Sequence, residues 1–289
     1  METKFLSSLI KNKHIKEIIE ELKLNEDQIF SAYPYFMNII EENKNIEKYE
    51  YITKIKIYDK KNVVAISVIN NNANIEIKSK RFNWLYYLSN MNYNLRWDNP
   101  KESNENKFDE NIFYWKNKKL KNFDRQKIAL WTVSFTKKFL KKEYHQGIYI
   151  YGGFNTGKTI FLNALANYAI KNNRSIIFLT SLDLLDFLLK NIEKSNELNY
   201  EIINKMKEVD LLLIDDLGQE KMNNWFLSII YQILDYRLKN KKICCFTSNF
   251  SINDLKKQWF KNKDLEKIKI EKIISKINDL TQEINFDPK

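Results

Sequence analysis

The sequence predicts an α/β module built on a parallel sheet with covering helices, preceded by a smaller α+β domain. Three observations predict this. In the second half, short apolar runs alternate with longer segments of helical period. In the first half, helical spacing gives way to strict alternation of apolar and polar residues. Between them the polar run DNPKESNENKFDEN at 98–111 reads as a linker, so 1–110 and 112–289 are the expected domains.

The first domain begins with Phe5, Leu6, Leu9, Ile10, Ile15, Ile18, Ile19 and Leu22, which recur at helical spacing. A second helix is expected over Glu26 to Glu42, with Pro34 as a kink or break. Tyr51–Tyr58 (YITKIKIY) then alternates, Val63–Ile69 is β-branched, and Ile75–Ile77 continues the pattern. DKKN and NNNA supply turn chemistry between these runs, so a small β-meander is expected. Residues 81–97 are rich in aromatics.

In the second domain a helix near Arg125–Lys142 leads into the strand GIYIYG, a glycine turn and the helix Lys158–Lys171. Strand Ser175–Thr180 precedes helix Leu182–Ile192, and strand Leu211–Ile214 precedes helix Asn223–Leu238. Strand Ile243–Thr247 precedes a mainly helical tail. Strands that are apolar throughout belong to a parallel sheet covered on both faces.

Composition narrows the function. The 289 residues include only 5 glycines, where ordinary usage gives about 20. All lie in the second half, at Gly147, Gly152, Gly153, Gly157 and Gly218, and four of them share one short stretch. Collagen-like and linker-rich architectures are excluded. The cysteines, Cys244 and Cys245, are adjacent, so they neither staple the fold nor show metal-ligand spacing. They fit a reducing cytoplasm. No apolar run approaches the ~18 residues of a membrane span, and the first residues carry too short an apolar stretch for a signal peptide. The net charge is +11, yet Lys, Asn and Ile are all abundant and only five basic residues are Arg. The charge is therefore partly compositional and points only weakly to an anionic partner.

Gly152–Thr159 (GGFNTGKT) fits G-x-x-x-x-G-K-[ST], the phosphate-binding P-loop, between a buried strand and an amphipathic helix. Gly152, Gly153, Phe154, Asn155, Thr156 and Gly157 form the loop, whose amides and following helix N-terminus are expected to supply positive potential to phosphate oxygens. Lys158 is expected at the β- and γ-phosphates and Thr159 on Mg²⁺. Asp215 and Asp216 follow the apolar run LLLI. Asp215 is expected to hold Mg²⁺ through water, and Asp216 to orient or deprotonate the attacking water. Asn249 closes the strand reading FTSN, where a polar side chain faces the ligand crevice. It is expected to hydrogen-bond the γ-phosphate or that water, while Thr247 and Ser248 are structural candidates.

GGFNTGKT, LLLIDD and TSN at successive strand ends resemble the AAA+ ATPases. The match is closer to the bacterial replicative-helicase loaders of the DnaI/DnaC type. It runs through 147–170, 211–226, ILDYRLKNKK (233–242) and FTSNFSINDLKKQWF (246–260), about half of the chain. DDLG, with Asp where others carry Glu, favours the DnaI side. The resemblance implies an N-terminal domain that grips the hexameric helicase, ATP-dependent self-association and contact with single-stranded DNA. The DNA segment would be 181–200, with Phe187, Lys190 and Lys194 offered and core packing an equal reading for Phe187; the lysine-rich run Lys256–Lys276 reads as a solvated helix face.

The chain also departs from the family. The DnaI domain typically binds zinc, but no cysteine precedes Cys244, and His14 and His145 read as surface or capping residues. The aromatics of 81–97 would then supply extra core. Where the family places a basic residue acting in trans, IISKINDL offers Lys276, which lacks the bidentate fork of Arg. Either Lys289 or nothing plays the role of the family's second sensor. Arg237 either acts in trans or anchors the fold. The alternatives to a loader are a transposition-helper ATPase of the IstB type, and an adaptor that binds ATP with little hydrolysis.

Overall fold

The computed structural model describes residues 11–84, 91, 123–192, 196–220, 222–262 and 265–287. The chain forms two compact units that divide between Lys78 and Ser79, ahead of the expected boundary near residue 110. The linker at 98–111, most of the aromatic run 81–97, Lys194 and Lys289 lie outside the described residues.

In the first unit, helix α1 (Lys13–Leu22) starts at Asn12, whose side chain accepts the N–H groups of His14 and Ile15. Helix α2 (Glu26–Lys44) starts on a reciprocal capping box between Asn25 and Gln28 and runs through Pro34 instead of ending there. Strands β1 (Tyr51–Ile57) and β2 (Val63–Ile69) pair antiparallel with Tyr51 opposite Ile69. The Glu42 carboxylate accepts the Thr53 N–H and hydroxyl, both at 2.7 Å, and so ties α2 to β1. Ile15, Ile29, Ala32, Phe36, Ile39, Ile55 and Val63 make the core.

The expected third strand is a helix, α3 (Ile75–Phe82). Asn74 caps it, accepting the Ile77 N–H on its side chain at 2.9 Å and the Lys78 N–H on its carbonyl at 3.0 Å. A good N-cap outweighs an alternation only three residues long. The meander is therefore a two-stranded hairpin.

The second unit holds a five-stranded parallel sheet in the order β4-β5-β6-β3-β7. Its strands are β3 (Gly147–Tyr151), β4 (Ile176–Thr180), β5 (Leu211–Asp215), β6 (Ile243–Ser248) and β7 (Thr281–Asn285). Helices α4 (Phe123–Leu140), α5 (Lys158–Lys171), α6 (Ser181–Ile192), α7 (Asn196–Glu208), α8 (Asn224–Lys239), α9 (Ile252–Phe260) and α10 (Lys267–Leu280) connect and cover them. The tail, expected to be mainly helical, ends in β7, which pairs with β3 along its whole length. TQEIN buries only Thr281 and Ile284, too little apolar sequence to signal a strand. It folds as one because β3 would otherwise be an unpaired edge.

Tyr149, Leu179, Leu212, Ile214 and Phe246 bring the sheet into one core with Phe226, Ile230, Ile270 and Ile277 from α8 and α10. Beside β3, Trp131, Phe135 and Phe139 of α4 stack at 4.8 Å centroid spacings. His145 packs edge-on to the first two rings and is buried, contrary to its reading as a surface or capping residue. Its Nδ1 lies 2.6 Å from the Gln146 carbonyl, which only accepts, so the Nδ1–H donates there and Nε2 accepts from the Ser134 hydroxyl. No helix among the described residues is long and apolar enough to cross a membrane.

Candidate functional site

All five strands point the same way, so their C-terminal ends gather in one place. The loop after β3, the acidic end of β5 and the polar end of β6 meet there. An open α/β sheet binds its ligand at this end.

The P-loop leaves β3 beside β6, with the Gly152 N–H donating to the Ser248 carbonyl at 3.3 Å. It turns through Asn155 at φ 57° and Gly157 at φ 98°, and Gly157 opens α5. A left-handed residue directly before a helix aims successive N–H groups into one hollow, and glycine adopts that conformation without strain. Phe154 is 80% exposed at the loop's tip. The Thr156 hydroxyl donates to the Gly153 carbonyl at 3.1 Å. Lys158 is buried and its Nζ donates to the carbonyls of Gly152 at 2.9 Å and Gly153 at 2.6 Å. Burial pushes its pKa down, and Asp216, Asp215 and Asp287 oppose that shift.

Thr159, exposed at the start of α5, lies beside the Asp215 carboxylate and favours its charged form. Asp215 accepts from the Thr247 hydroxyl, which in turn accepts the Asp216 N–H at 2.9 Å. Burial first, and the neighbouring Asp216 next, push the Asp215 carboxyl above its ordinary range. The exposed Thr159 hydroxyl and the buried Asp215 carboxylate at the mouth of a phosphate cradle are oxygen donors of the kind a hard divalent cation such as Mg²⁺ takes.

Asp216 lies at φ 55° and is partly exposed. Asn249 follows β6 between two anchored residues. The Ser248 hydroxyl donates to the Leu217 carbonyl at 2.6 Å and accepts the Phe250 N–H at 3.1 Å. The Tyr149 hydroxyl donates to the Phe250 carbonyl at 2.9 Å. Thr247 and Ser248 therefore join the ends of β5 and β6 and fix the backbone on either side of Asn249.

Arg237 takes no part in this end of the sheet. It is fully buried, and its Nη1 donates to the carbonyls of Met206, Lys207 and Val209. Nη2 donates to the Ile243 carbonyl at 2.6 Å, and Nε lies 3.1 Å from Cys244 Sγ. These partners stand where β5 and β6 begin, roughly 13 Å of strand away from Asp215. Of the two roles left open by the sequence, the geometry selects the anchor. A catalytic role in trans needs an exposed guanidinium.

Lys276 is bonded to Asp235 of α8 at 2.6 Å, with its ammonium 5.0 Å from the Tyr231 ring centroid. Phe187 packs partly buried against the core, while Lys190 is exposed beside Asp186. Much of the Lys256–Lys276 run is paired: Lys256 with Glu271, Lys257 with Asp254 and Lys269 with Glu266.

Sequence reasoning missed two acids. Asp287, just beyond β7, accepts the Gly153 N–H at 2.6 Å, and its Oδ1 would lie 2.7 Å from a Cβ at Gly152. The missed strand hid this one. Glu220 is buried behind the Asp216 turn and accepts the Gly218 N–H at 2.9 Å. In sequence it reads as the polar end of a turn, LGQE, and nothing in that run signals a buried acid.

A strand–loop–helix phosphate cradle, with a hydroxyl and a carboxylate beside it on a parallel sheet, defines a P-loop nucleotide-binding module. The family model described as "IstB-like ATP binding protein" matches residues 113–283, more than half of the chain, and the protein belongs to that family. The replicative helicase loader DnaI of Bacillus subtilis (strain 168) is 30% identical over 172 residues, or 57% of this chain and 54% of that protein. The replicative helicase loader DnaC of Buchnera aphidicola subsp. Baizongia pistaciae (strain Bp) is 32% identical over 102 residues, or 35% of this chain and 42% of that one. The chain thus matches about half the length of these curated relatives. A crystal structure of DnaI aligns with TM-score 0.46 at 26% identity, covering 60% of this chain and 87% of that one.

Proposed function

We propose that this protein is an ATPase that loads the replicative DNA helicase onto DNA. The observation that carries the ATPase half is the placing of Lys158, buried on its own loop's carbonyls, with Thr159 at the start of α5 and Asp215 held by the Thr247 hydroxyl at the same end of the sheet. Lys158 leaves the loop carbonyls to bind the β- and γ-phosphates, and Thr159 and Asp215 hold Mg²⁺. Asp216 orients or deprotonates the attacking water, and Asn249 contacts that water or the γ-phosphate. Mg²⁺, when bound, neutralises charge developing on the phosphate oxygens. The names of the relatives support the loading half. In this reading the first unit grips the hexameric helicase, and the ATP-binding unit self-associates and meets single-stranded DNA.

Co-purification with the replicative helicase of the source cell, in ATP against ADP, tests the reading. Nucleotide-dependent capture that is lost in Lys158→Ala supports it. Capture of a transposase in place of a helicase overturns it in favour of the transposition helper.

One observation favours the adaptor as a second reading. The Lys276 bridge to Asp235 occupies the basic residue that would act on a neighbour's nucleotide. Single-turnover hydrolysis with helicase and single-stranded DNA separates the two, and a rate equal to that of Lys158→Ala establishes the adaptor.

A further inference from the structure

Asp216 carries the second carboxylate of the site on a backbone that L-residues rarely adopt, at φ 55°. Something must hold it there. Its N–H donates to Thr247 Oγ1 at 2.9 Å, and its carbonyl accepts from Ser181 Oγ at 2.9 Å. Ser181 opens α6 and is 1% exposed. The same oxygen is hydrogen-bonded to Glu220 Oε2. Glu220 is 7% exposed, and its Oε1 is buried with no hydrogen-bond partner.

The protons decide what this chain is. A serine hydroxyl has one hydrogen to give, and a peptide carbonyl only accepts. If Ser181 gives its hydrogen to Asp216, the contact with Glu220 needs a hydrogen from the acid. A protonated Glu220 supplies it from Oε2, which keeps a lone pair for the Gly218 N–H. Its Oε1 is then a neutral carbonyl oxygen, which tolerates lacking a partner far better than half a carboxylate charge does. The other arrangement shares one hydroxyl hydrogen between two acceptors and leaves an ionised carboxylate buried with one oxygen unpartnered. Burial raises the acid's pKa, and it outweighs the Ser181 hydroxyl first and then the N–H groups of Glu220, Gly218 and Gln219, which favour the charged form.

We propose that Glu220 is a neutral acid that donates to Ser181, which in turn holds the Asp216 carbonyl, making Glu220 and Ser181 positioning residues for Asp216. Glu220 touches no substrate and acts through the Asp216 backbone. The functional consequence rests on the reading of this pocket as an ATP site; the protonation state does not.

Infrared spectroscopy of the full chain at neutral pH tests the proposal without nucleotide. The carbonyl stretch of a protonated carboxylic acid is expected in the wild type and in Asp215→Asn. It should vanish in Glu220→Gln and move to higher frequency in Ser181→Ala, where the acid has lost its acceptor. No such band in the wild type, or a band indifferent to Glu220→Gln, overturns the proposal. Should Glu220→Gln fail to fold, the shift in Ser181→Ala decides alone. In turnover assays Ser181→Ala should lose about tenfold in kcat, the loss of one positioning hydrogen bond, at unchanged nucleotide affinity. Glu220→Gln, neutral and still a donor, should stay close to wild type. A Ser181→Ala enzyme with wild-type kcat refutes the positioning role. Nucleotide affinity in Lys158→Ala reports separately on whether the pocket binds ATP.

Discussion

Arg237 gives the sharpest test, because its two readings predict opposite phenotypes. The fold-anchor role rests on four carbonyl partners and one thiol sulfur around a fully buried guanidinium. Each hydrogen bond to a charged group is worth ~1.5–3 kcal/mol. That sum overstates the loss, because Arg237→Ala also removes the cost of burying the charge. Breaking one side of a buried charged network costs ~3–5 kcal/mol in practice. The cavity left by the side chain adds to that, so a loss of about 4–6 kcal/mol is expected, a large share of the ~5–15 kcal/mol that holds a domain together. The six tryptophans all lie beyond residue 78, so intrinsic fluorescence follows unfolding of the second unit alone. With a urea slope of ~2 kcal/mol per molar, the midpoint should fall by about 2–3 M. Arg237→Lys should fall less, since one ammonium replaces some donors but not the planar fork. An unchanged midpoint combined with lost turnover in the assembled protein would refute the anchor and restore the role in trans.

Lys158→Ala should abolish binding of a fluorescent ATP analogue at concentrations that saturate the wild type. Its thermal midpoint should hold or rise slightly, because an ammonium that burial disfavours is gone. Gly218→Ala should destabilise by ~1–2 kcal/mol from the left-handed backbone alone, since Gly218 sits at φ 99°. Further loss should follow because the new Cβ would lie 2.5 Å from Leu255 Cδ1; urea titration measures both. His145 has its pKa lowered, chiefly by burial. Below its ordinary pKa of about 6.5 the unfolded chain takes up a proton that the folded chain refuses. Stability should therefore fall on acidification through that range, and His145→Gln should flatten the slope of midpoint against pH.

The second unit was largely legible because its signals are local and redundant. β3 to β6 are apolar up to their C-terminal ends, and GGFNTGKT occupies the one junction where its spacing has chemical meaning. What escaped was settled by partners distant in sequence. Thr281–Asn285 is a strand because β3 lies beside it, not because TQEIN is apolar. Ile75–Phe82 is a helix because Asn74 caps it. His145 looked solitary in sequence, while in the fold two aromatic rings and a serine surround it. Arg237 shows the limit of placing a residue by its nearness to a sheet. A parallel sheet has two ends, and its chemistry gathers at one.

That asymmetry also explains where the polar groups of this sheet were placed. At the starting end, Arg237 meets carbonyls of the last turn of α7, of Val209 just beyond it and of β6, and Asp210 meets the Ser175 N–H and hydroxyl, both at 3.0 Å. These groups satisfy one another and leave nothing for a ligand. At the finishing end the carboxylates are held but not neutralised. Asp215 is bonded to the Thr247 hydroxyl, Asp216 is partly exposed, and Lys158, a cation close by, spends its hydrogen bonds on carbonyls of its own loop. On the proposed reading, a loop that parks its lysine on weak neutral acceptors beside two acids would exchange those contacts for a phosphate and a metal. The residues that keep it ready, Thr247, Ser181 and Glu220, are uncharged or held neutral, so they fix the geometry without adding charge that would compete with the ligand.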